Sequence, residues 1–507
     1  MPAASAVGGA DKTNGRKPAV YAAEKSDTSV VPVKWPNKGS DPAEVMEERD
    51  VAKGNANEPP AFRTQSRDNA SMGLEGVRQK ARTDKRVRFT SLMHHITPYL
   101  LVKSFYSLRK DAASGVDKVT WEEYEPQLLK RVYVLHRLIH TGAYKALPSR
   151  RVYIDKADGS KRPLGIAAIE DKIVQQAVTT VLSAIYEEDF LGFSYGFRPG
   201  RSQHQALDAL WVGIEKRKVG WILDADIRDY FGSIDHGWME RFLAHRIADK
   251  RMLRLIRKWL KAGTIEDGRR VTSDKGVPQG AVISPLLSNI YLHYVFDTWA
   301  HHWRKHNAIG DVILVRYADD SVMGFQHEFV AKKFLADMRE RFARFGLRLH
   351  PEKTRLIEFG RHAAARRRRR GRGRPETFNF LGFTHCCGTT RTGAFKIVRL
   401  TVKKRMNAKL KAIREEIKRR LLQPVKEMGK WLGGVVRGYF GYHAVPDNLK
   451  RLEGFREAVC RMWLKALRRR SQRHKLPWSR FKHLVNKYLP VPRQLHPYPP
   501  KRFGART

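Results

Sequence analysis

Two short apolar runs that end in carboxylates constrain the fold of this chain more than any other feature. Trp221-Ile222-Leu223-Asp224-Ala225-Asp226 and Ile313-Leu314-Val315-Arg316-Tyr317-Ala318-Asp319-Asp320-Ser321-Val322-Met323 contain apolar stretches too brief for independent helices, and both read as strands. In the first, the period of two sends Asp224 and Asp226 to one face and Leu223, Ala225 and Ile227 to the other. In the second, a hairpin with its tip at Ala318 to Asp320 holds two adjacent acids. Acids crowded at a tip repel one another unless a cation lies between or beside them, which points to a divalent metal site. For the first run alone, a solvated face of an edge strand stays open as an alternative. Joined, the two segments offer what two-metal phosphoryl transfer requires. Carboxylates there bridge two Mg²⁺ about 3.5 to 4 Å apart, one activating a 3′ hydroxyl and the other the leaving pyrophosphate.

Charge supplies the partner. The 507 residues include 98 Lys or Arg against 51 Asp or Glu, a formal net charge of +47. Self-repulsion on that scale is tolerable when a polyanion provides the counter-charge, so nucleic acid is expected and an ordinary metabolic enzyme is not. With 42% hydrophobic residues the chain can bury real cores, which excludes wholesale disorder. No stretch approaches the roughly 18 to 20 uninterrupted apolar residues of a membrane span, and the N-terminus lacks a secretory pattern. A soluble, cytoplasmic, nucleoid-associated bacterial protein is expected, with an organellar location less favoured. Three cysteines (Cys386, Cys387 and Cys460) cannot make a disulfide framework or a four-Cys zinc site. His385-Cys386-Cys387 does not read as a metal site either, because adjacent strand residues point to opposite faces.

Along the chain, residues 1–60 show no sustained period and read as a disordered leader. Ile173, Ala177, Val178, Val181, Leu182 and Ile185 recur at helical spacing. Leu207, Leu210 and Trp211 do so behind a Ser202-x-x-Gln205 capping box, and Ser284-Pro285 reads as an N-cap with a first-turn proline. Residues 361–374 carry eight arginines among Ala and Gly and read as a solvated loop. Beyond about 400 the chain becomes helical and basic. Met406, Leu410, Ile413, Ile417 and Leu421 form an apolar seam whose other faces are crowded with Lys and Arg, as expected of a helix facing nucleic acid.

The order of motifs resembles the block series of a group II intron reverse transcriptase/maturase. The blocks are Lys161-Arg162-Pro163-Leu164-Gly165-Ile166, Glu170 to Gln176, Gly196-Phe197-Arg198-Pro199-Gly200-Arg201-Ser202, and the Asp226 segment. Gly276-Val277-Pro278-Gln279-Gly280, Tyr317 to Asp320, His350-Pro351-Glu352-Lys353-Thr354 and Phe380-Leu381-Gly382-Phe383 complete it. Ser114-Gly115-Val116-Asp117 resembles the family's N-terminal extension. The resemblance implies an α+β right-hand polymerase. Its N-terminal extension would span 61–145 and its fingers and palm 146–395, with 361–374 as an insertion. A helical thumb and maturase domain X would follow over 396–475, then a basic C-terminal tail over 476–507.

The resemblance also implies roles. Asp226 and Asp319 match the metal ligands, with Asp320 in support and the Ile227 carbonyl as a further oxygen, for two Mg²⁺ ions. Arg150, Lys156 and Arg162 match residues that hold the incoming dNTP, Phe231 the gate against a ribose 2′ hydroxyl, and Gln279 a contact to the nascent pair. Lys353 matches the lysine that protonates pyrophosphate. In the maturase-like region, Arg437, Lys465, Arg468, Arg469 and Arg470 are the RNA-contact candidates, while Trp431, Tyr439 and Tyr442 read individually as core. The implied partners are intron RNA, an RNA template with a DNA primer, and target DNA, with no membrane. The expected function is copying and splicing of a group II intron without a C-terminal His-Asn-His nuclease. A reverse transcriptase recruited to host defence or diversification, and a polymerase-dead splicing cofactor, remain as alternatives.

Overall fold

The computed structural model describes residues 64–155, 161–470 and 476–502; the expected leader and Lys156 lie outside them. Eleven strands make three sheets among the described residues. The first has the order β2-β1-β4-β5, where β1 is Ser149–Asp155, β2 Lys161–Ile166, β4 Thr264–Glu266 and β5 Arg269–Val271; β1 pairs antiparallel with β2 and parallel with β4. The second, of order β6-β7-β3-β8, joins Val312–Tyr317, Asp320–Phe325, Trp221–Ala225 and Arg355–Glu358, all antiparallel. The third is a meander of β9 (Phe378–Phe380), β10 (Phe383–Thr389) and β11 (Phe395–Thr401).

In the second sheet β3 lies between β7 and β8, which decides against the edge-strand alternative. Its alternation is as expected. Leu223, Ala225 and Ile227 enter a large helical core, and Ile222 enters a second core on the opposite face. The first core is closed by the buried helix Ile169–Asp189, whose Ile173, Ala177, Val181 and Ile185 are inaccessible to solvent. The second core lies under the helix Gln203–Lys216 and the three-stranded sheet. The capping box forms reciprocally: the Gln205 amide donates to Ser202 Oγ at 3.3 Å and the Ser202 amide to Gln205 Oε1 at 2.8 Å. Ser284 behaves differently. The helix Ser284–Leu292 starts on it with no side-chain cap, and its hydroxyl donates to the Pro278 carbonyl at 2.9 Å, tying the helix to the 276–280 loop.

A third core is wholly helical. Ile413 and Ile417 of the helix Lys403–Arg419 pack against the helices Val425–His443 and Leu449–Arg468, with Met406, Leu410 and Leu421 partly covered beside them. The segment read as a tail joins this core: the helix Trp478–Tyr488 buries Phe481 and Val485 there, and Leu489 follows them. Trp478, Phe481, Leu484, Val485 and Tyr488 recur at helical spacing, a signal the sequence carries between the flanking prolines and that the reading as a tail passed over. The chain then returns across the molecule, where the amides of Leu495 and His496 donate to the Ala444 carbonyl and Arg502 lies 3.0 Å from Asp208 of Gln203–Lys216. The arginine-rich segment also differs from a loop. Ala363–Arg369 is helical, as its run of Ala and Arg, both strong helix formers, allows. Among the described residues no helix is long and apolar enough to cross a membrane.

Phe481 is fully enclosed, so Phe481→Ala is expected to destabilise the helical C-terminal unit by about 3–5 kcal/mol, a loss that chemical denaturation followed by far-UV dichroism measures directly.

Candidate active site

The carboxylates meet where the chain leaves β3 and turns between β6 and β7. Tyr317 pairs with Asp320, so the turn is the two residues Ala318 and Asp319, and Ala318 takes a φ of +54°. That left-handed conformation costs a residue with a Cβ on the order of 1–3 kcal/mol, so the surroundings must hold it. They do so through contacts that the motifs explain. Gly196 lies so close that a Cβ there would come within 2.2 Å of the Ala318 nitrogen. The Tyr195 amide donates to the Arg316 carbonyl at 2.9 Å, laying the 193–196 segment along the free side of β6.

Beneath the turn sits a buried polar network that sequence reasoning missed. Arg316 is 1% exposed, and its Nε lies 2.7 Å from Oδ1 of the fully buried Asp297. Its remaining guanidinium donors reach Asn289 Oδ1 at 3.1 Å, Ser194 Oγ at 2.6 Å and the carbonyl of Ala318 itself at 2.8 Å. Asn289 in turn donates to the Gly196 carbonyl at 2.7 Å. Asp297 closes a π-helical turn, His293–Asp297, a local widening that often marks functional sites. The signal was present in the sequence as an arginine inside the apolar run Ile313 to Tyr317, a position where a charge must be paired.

The site carboxylates strain against one another. Burial, followed by repulsion from Asp226, pushes Asp319 above its ordinary range, while Arg162 and Arg316 oppose the shift. Enclosure in the cleft and then Asp319, Asp226 and Asp224 raise Asp320, against Arg405; its side chain remains open to water at the cleft mouth, which screens the effect. Asp224, buried first and then opposed by Asp226, is pushed up to about 6 despite Arg355 at 3.8 Å. Among the described residues no three acid, His or Cys side chains form a ready-made metal cage. The hard oxygen donors of Asp226, Asp319 and Asp320 are of the kind that Mg²⁺ takes, usually one or two carboxylates together with substrate phosphates. A cation here would relieve the repulsion among them.

The other expected residues fall into groups. The segment after Leu349 doubles back on Asp226: the His350 amide donates to the Asp226 carbonyl at 2.8 Å, and Lys353 Nζ reaches Asp226 Oδ2 at 3.0 Å. Ile227 is buried and forms a bridge with Leu349. Arg162, exposed on β2, acts on Asp319 across the cleft. The 276–280 loop links the rest, since the Val277 amide donates to the Phe231 carbonyl and the Gly165 amide to that of Gln279. Gln279 Oε1 is buried with no hydrogen-bond partner in the protein, an orphan acceptor beside the cleft. Phe231 is half-buried against Tyr230 and the main core. Arg150 is directed elsewhere, donating from Nε and Nη2 to the Ser114 carbonyl at 3.2 and 2.8 Å and so anchoring the 114–117 motif.

In the helical unit, Arg437, Lys465 and Arg469 are exposed. Arg468 is exposed too but donates to the Leu476 carbonyl, and Arg470 is turned inward against Met428, with burial lowering its pKa. Tyr439 and Tyr442 are buried, Tyr439 stacked on Phe455 at 3.6 Å, and Trp431 is partly covered beneath Arg420. His385 is enclosed between strands and stacked on Phe378, and burial holds it neutral, down to about 3.

The turn after β6 thus holds adjacent acids beside a third acid at the end of a central strand, with cationic residues facing them. Residues 154–385 match the reverse transcriptase (RNA-dependent DNA polymerase) family. Similar proteins include Protein YkfC of Escherichia coli K12, 38% identical over 44% of this chain and 60% of its own length. They also include the group II intron-encoded protein LtrA of Lactococcus lactis, 35% identical over 43% of this chain and 37% of its own. An uncharacterized 91 kDa protein in the cob intron of Schizosaccharomyces pombe is 45% identical over 29% of this chain and 18% of its own length. The chain thus spans less than two thirds of the length of each of these relatives.

Removing either partner of the Arg316–Asp297 pair leaves a buried charge and is expected to cost about 3–5 kcal/mol. The double change Arg316→Met/Asp297→Leu should recover most of that stability in a denaturation experiment while leaving nucleotide incorporation impaired, because the Ala318 carbonyl is then without its donor.

Proposed function

We propose that the protein is an RNA-directed DNA polymerase that also acts as a maturase, binding group II intron RNA to promote its splicing and copying it into DNA. The observation that carries this reading is the convergence of Asp226, Asp319 and Asp320 on one end of the second sheet. In this reading the first sheet belongs to the fingers, the second is the palm, and the helical unit from Lys403 onward is the thumb and domain X.

Asp226 and Asp319, with Asp320 and the Ile227 carbonyl in support, would hold two Mg²⁺, which supply polarisation of the primer hydroxyl and neutralisation of the pyrophosphate. The primer 3′ oxygen loses its proton and bonds to the α-phosphorus as the bond to the β-phosphate breaks. Arg162 and Lys156 hold the triphosphate in line for that displacement, and Arg150 would join them only after releasing Ser114. Lys353 is paired with Asp226, so its ammonium stands beside these acids and can pass a proton from Nζ to the departing pyrophosphate. Gln279 offers its unpaired oxygen to the nascent base pair or sugar. Phe231 closes the space where a ribose 2′ hydroxyl would lie. RNA, template–primer and target DNA would be gripped by a basic surface to which Arg437, Lys465, Arg468 and Arg469 contribute, with Arg470 the weakest candidate because it faces inward.

Asp226→Asn or Asp319→Asn is expected to abolish RNA-templated primer extension while intron RNA binding persists, since binding rests on distributed phosphate contacts. Loss of both activities in a folded variant would show that they are not separable as described. Phe231→Ala should admit ribonucleotides in single-nucleotide incorporation without loss of dNTP use; an unchanged dNTP preference would return Phe231 to a packing role.

A further inference from the structure

The arginines of residues 361–374 lie outside the site just described, and some of them are anchored in the fold. Arg366 donates from Nε to the buried Glu358 at 2.6 Å and from Nη2 to the Gly220 carbonyl at 3.0 Å, and its guanidinium lies over Trp221. Arg370 is a second, looser partner of Glu358 at 3.8 Å. Arg367 folds back on the Gly373 carbonyl and Glu376, and Ala363 is fully buried under the short helix. Arg366, Arg367 and Arg370 therefore build a platform, Arg361 reaches the Glu215 carbonyl at 3.4 Å, and the other four arginines are displayed. Arg368, Arg369, Arg372 and Arg374 are exposed, and no ion pair or side-chain hydrogen bond engages them among the described residues. A solvated loop needs no such anchoring, whereas a surface that must meet a partner in a fixed geometry does.

The platform stands at the Trp221 end of β3, and Asp226 lies just past the other end. Five residues of strand separate them by about 16 Å. We propose that this arginine platform is a second nucleic-acid dock, which grips the phosphate backbone of a folded RNA or of duplex DNA outside the polymerase cleft. The chemistry favours phosphate. Guanidinium forks bond phosphate oxygens bidentately, and the only carboxylates paired with the segment among the described residues, Glu358 and Glu376, are already used to hold the anchoring arginines. An acidic protein surface would be an alternative occupant, and the test separates it. The proposal rests on the polymerase reading only for the location of the cleft.

The test is the quadruple substitution Arg368→Ala/Arg369→Ala/Arg372→Ala/Arg374→Ala in the full chain. Equilibrium binding of the folded intron RNA and of a long duplex DNA is measured over a salt series without dNTPs, beside extension of a short template–primer. Each phosphate that the variant no longer neutralises should flatten the slope of log affinity against log salt by about 0.9 on duplex DNA, so a total flattening of about 2–4 is expected on the true partner. Short template–primer extension should be unchanged, which also reports that the variant is folded. A loss confined to the RNA or to the DNA names the source of the phosphates. Unchanged slope and affinity for both would overturn the proposal and leave the surface to a protein partner. Because binding is read without synthesis, a wild-type chain that extends no primer while the variant loses binding would sink the polymerase reading and spare this one.

Discussion

Mutual repulsion among carboxylates at one end of a central strand is the constraint around which the rest of the structure is arranged. Two like charges about 4 Å apart repel by ~4 kcal/mol at an effective dielectric of 20, so acids gathered on one sheet edge must be answered by cations or by protonation. Cationic residues come from separate parts of the chain: Arg162 from β2, Arg316 from β6, Lys353 and Arg355 from the segment that doubles back on Asp226, and Arg405 from the first helix of the C-terminal unit. None removes the strain. Asp224, Asp319 and Asp320 all remain shifted upward, by burial first and by one another's charge after it, a shift that a divalent cation would oppose.

The same constraint explains why several motifs around the site do no chemistry of their own. Gly196 has no side chain because the Ala318 backbone occupies the place of its Cβ. Arg198 of the same motif is buried, bonding Glu187 and the carbonyls of Leu191 and Ser194, and so fixes the approach of that segment to β6. The Arg316–Asp297 pair then supports the turn from below and adds positive potential beside Asp319. Burying an ion pair does not by itself stabilise a fold. Here the guanidinium also bonds the Ala318 carbonyl, within the turn that carries Asp319.

Basic charge serves two purposes that composition alone merges. On the helix Lys403–Arg419, Lys418 and Arg419 are partly answered by Glu415 and Glu416, while most of its basic residues face solvent. In the 361–374 segment some arginines are structural, neutralising the buried Glu358, and their anchoring sets the geometry of those that stay free.

The sequence by itself determined the two acid-bearing strand segments, their hairpin and the helices with strong periodicity, because alternation and adjacent like charges are local properties. It also determined, through the order of motifs, that Lys353 and Arg162 belong near those acids. Only the tertiary structure decided that β3 is central, that Arg150 anchors the 114–117 segment, that Arg470 turns inward, and that the residues after 476 complete the helical core. Each of these depends on which partner occupies the space beside a residue. That partner lies tens to hundreds of positions away, as Asp297 lies under Arg316 and Glu358 under Arg366, and no local pattern specifies it.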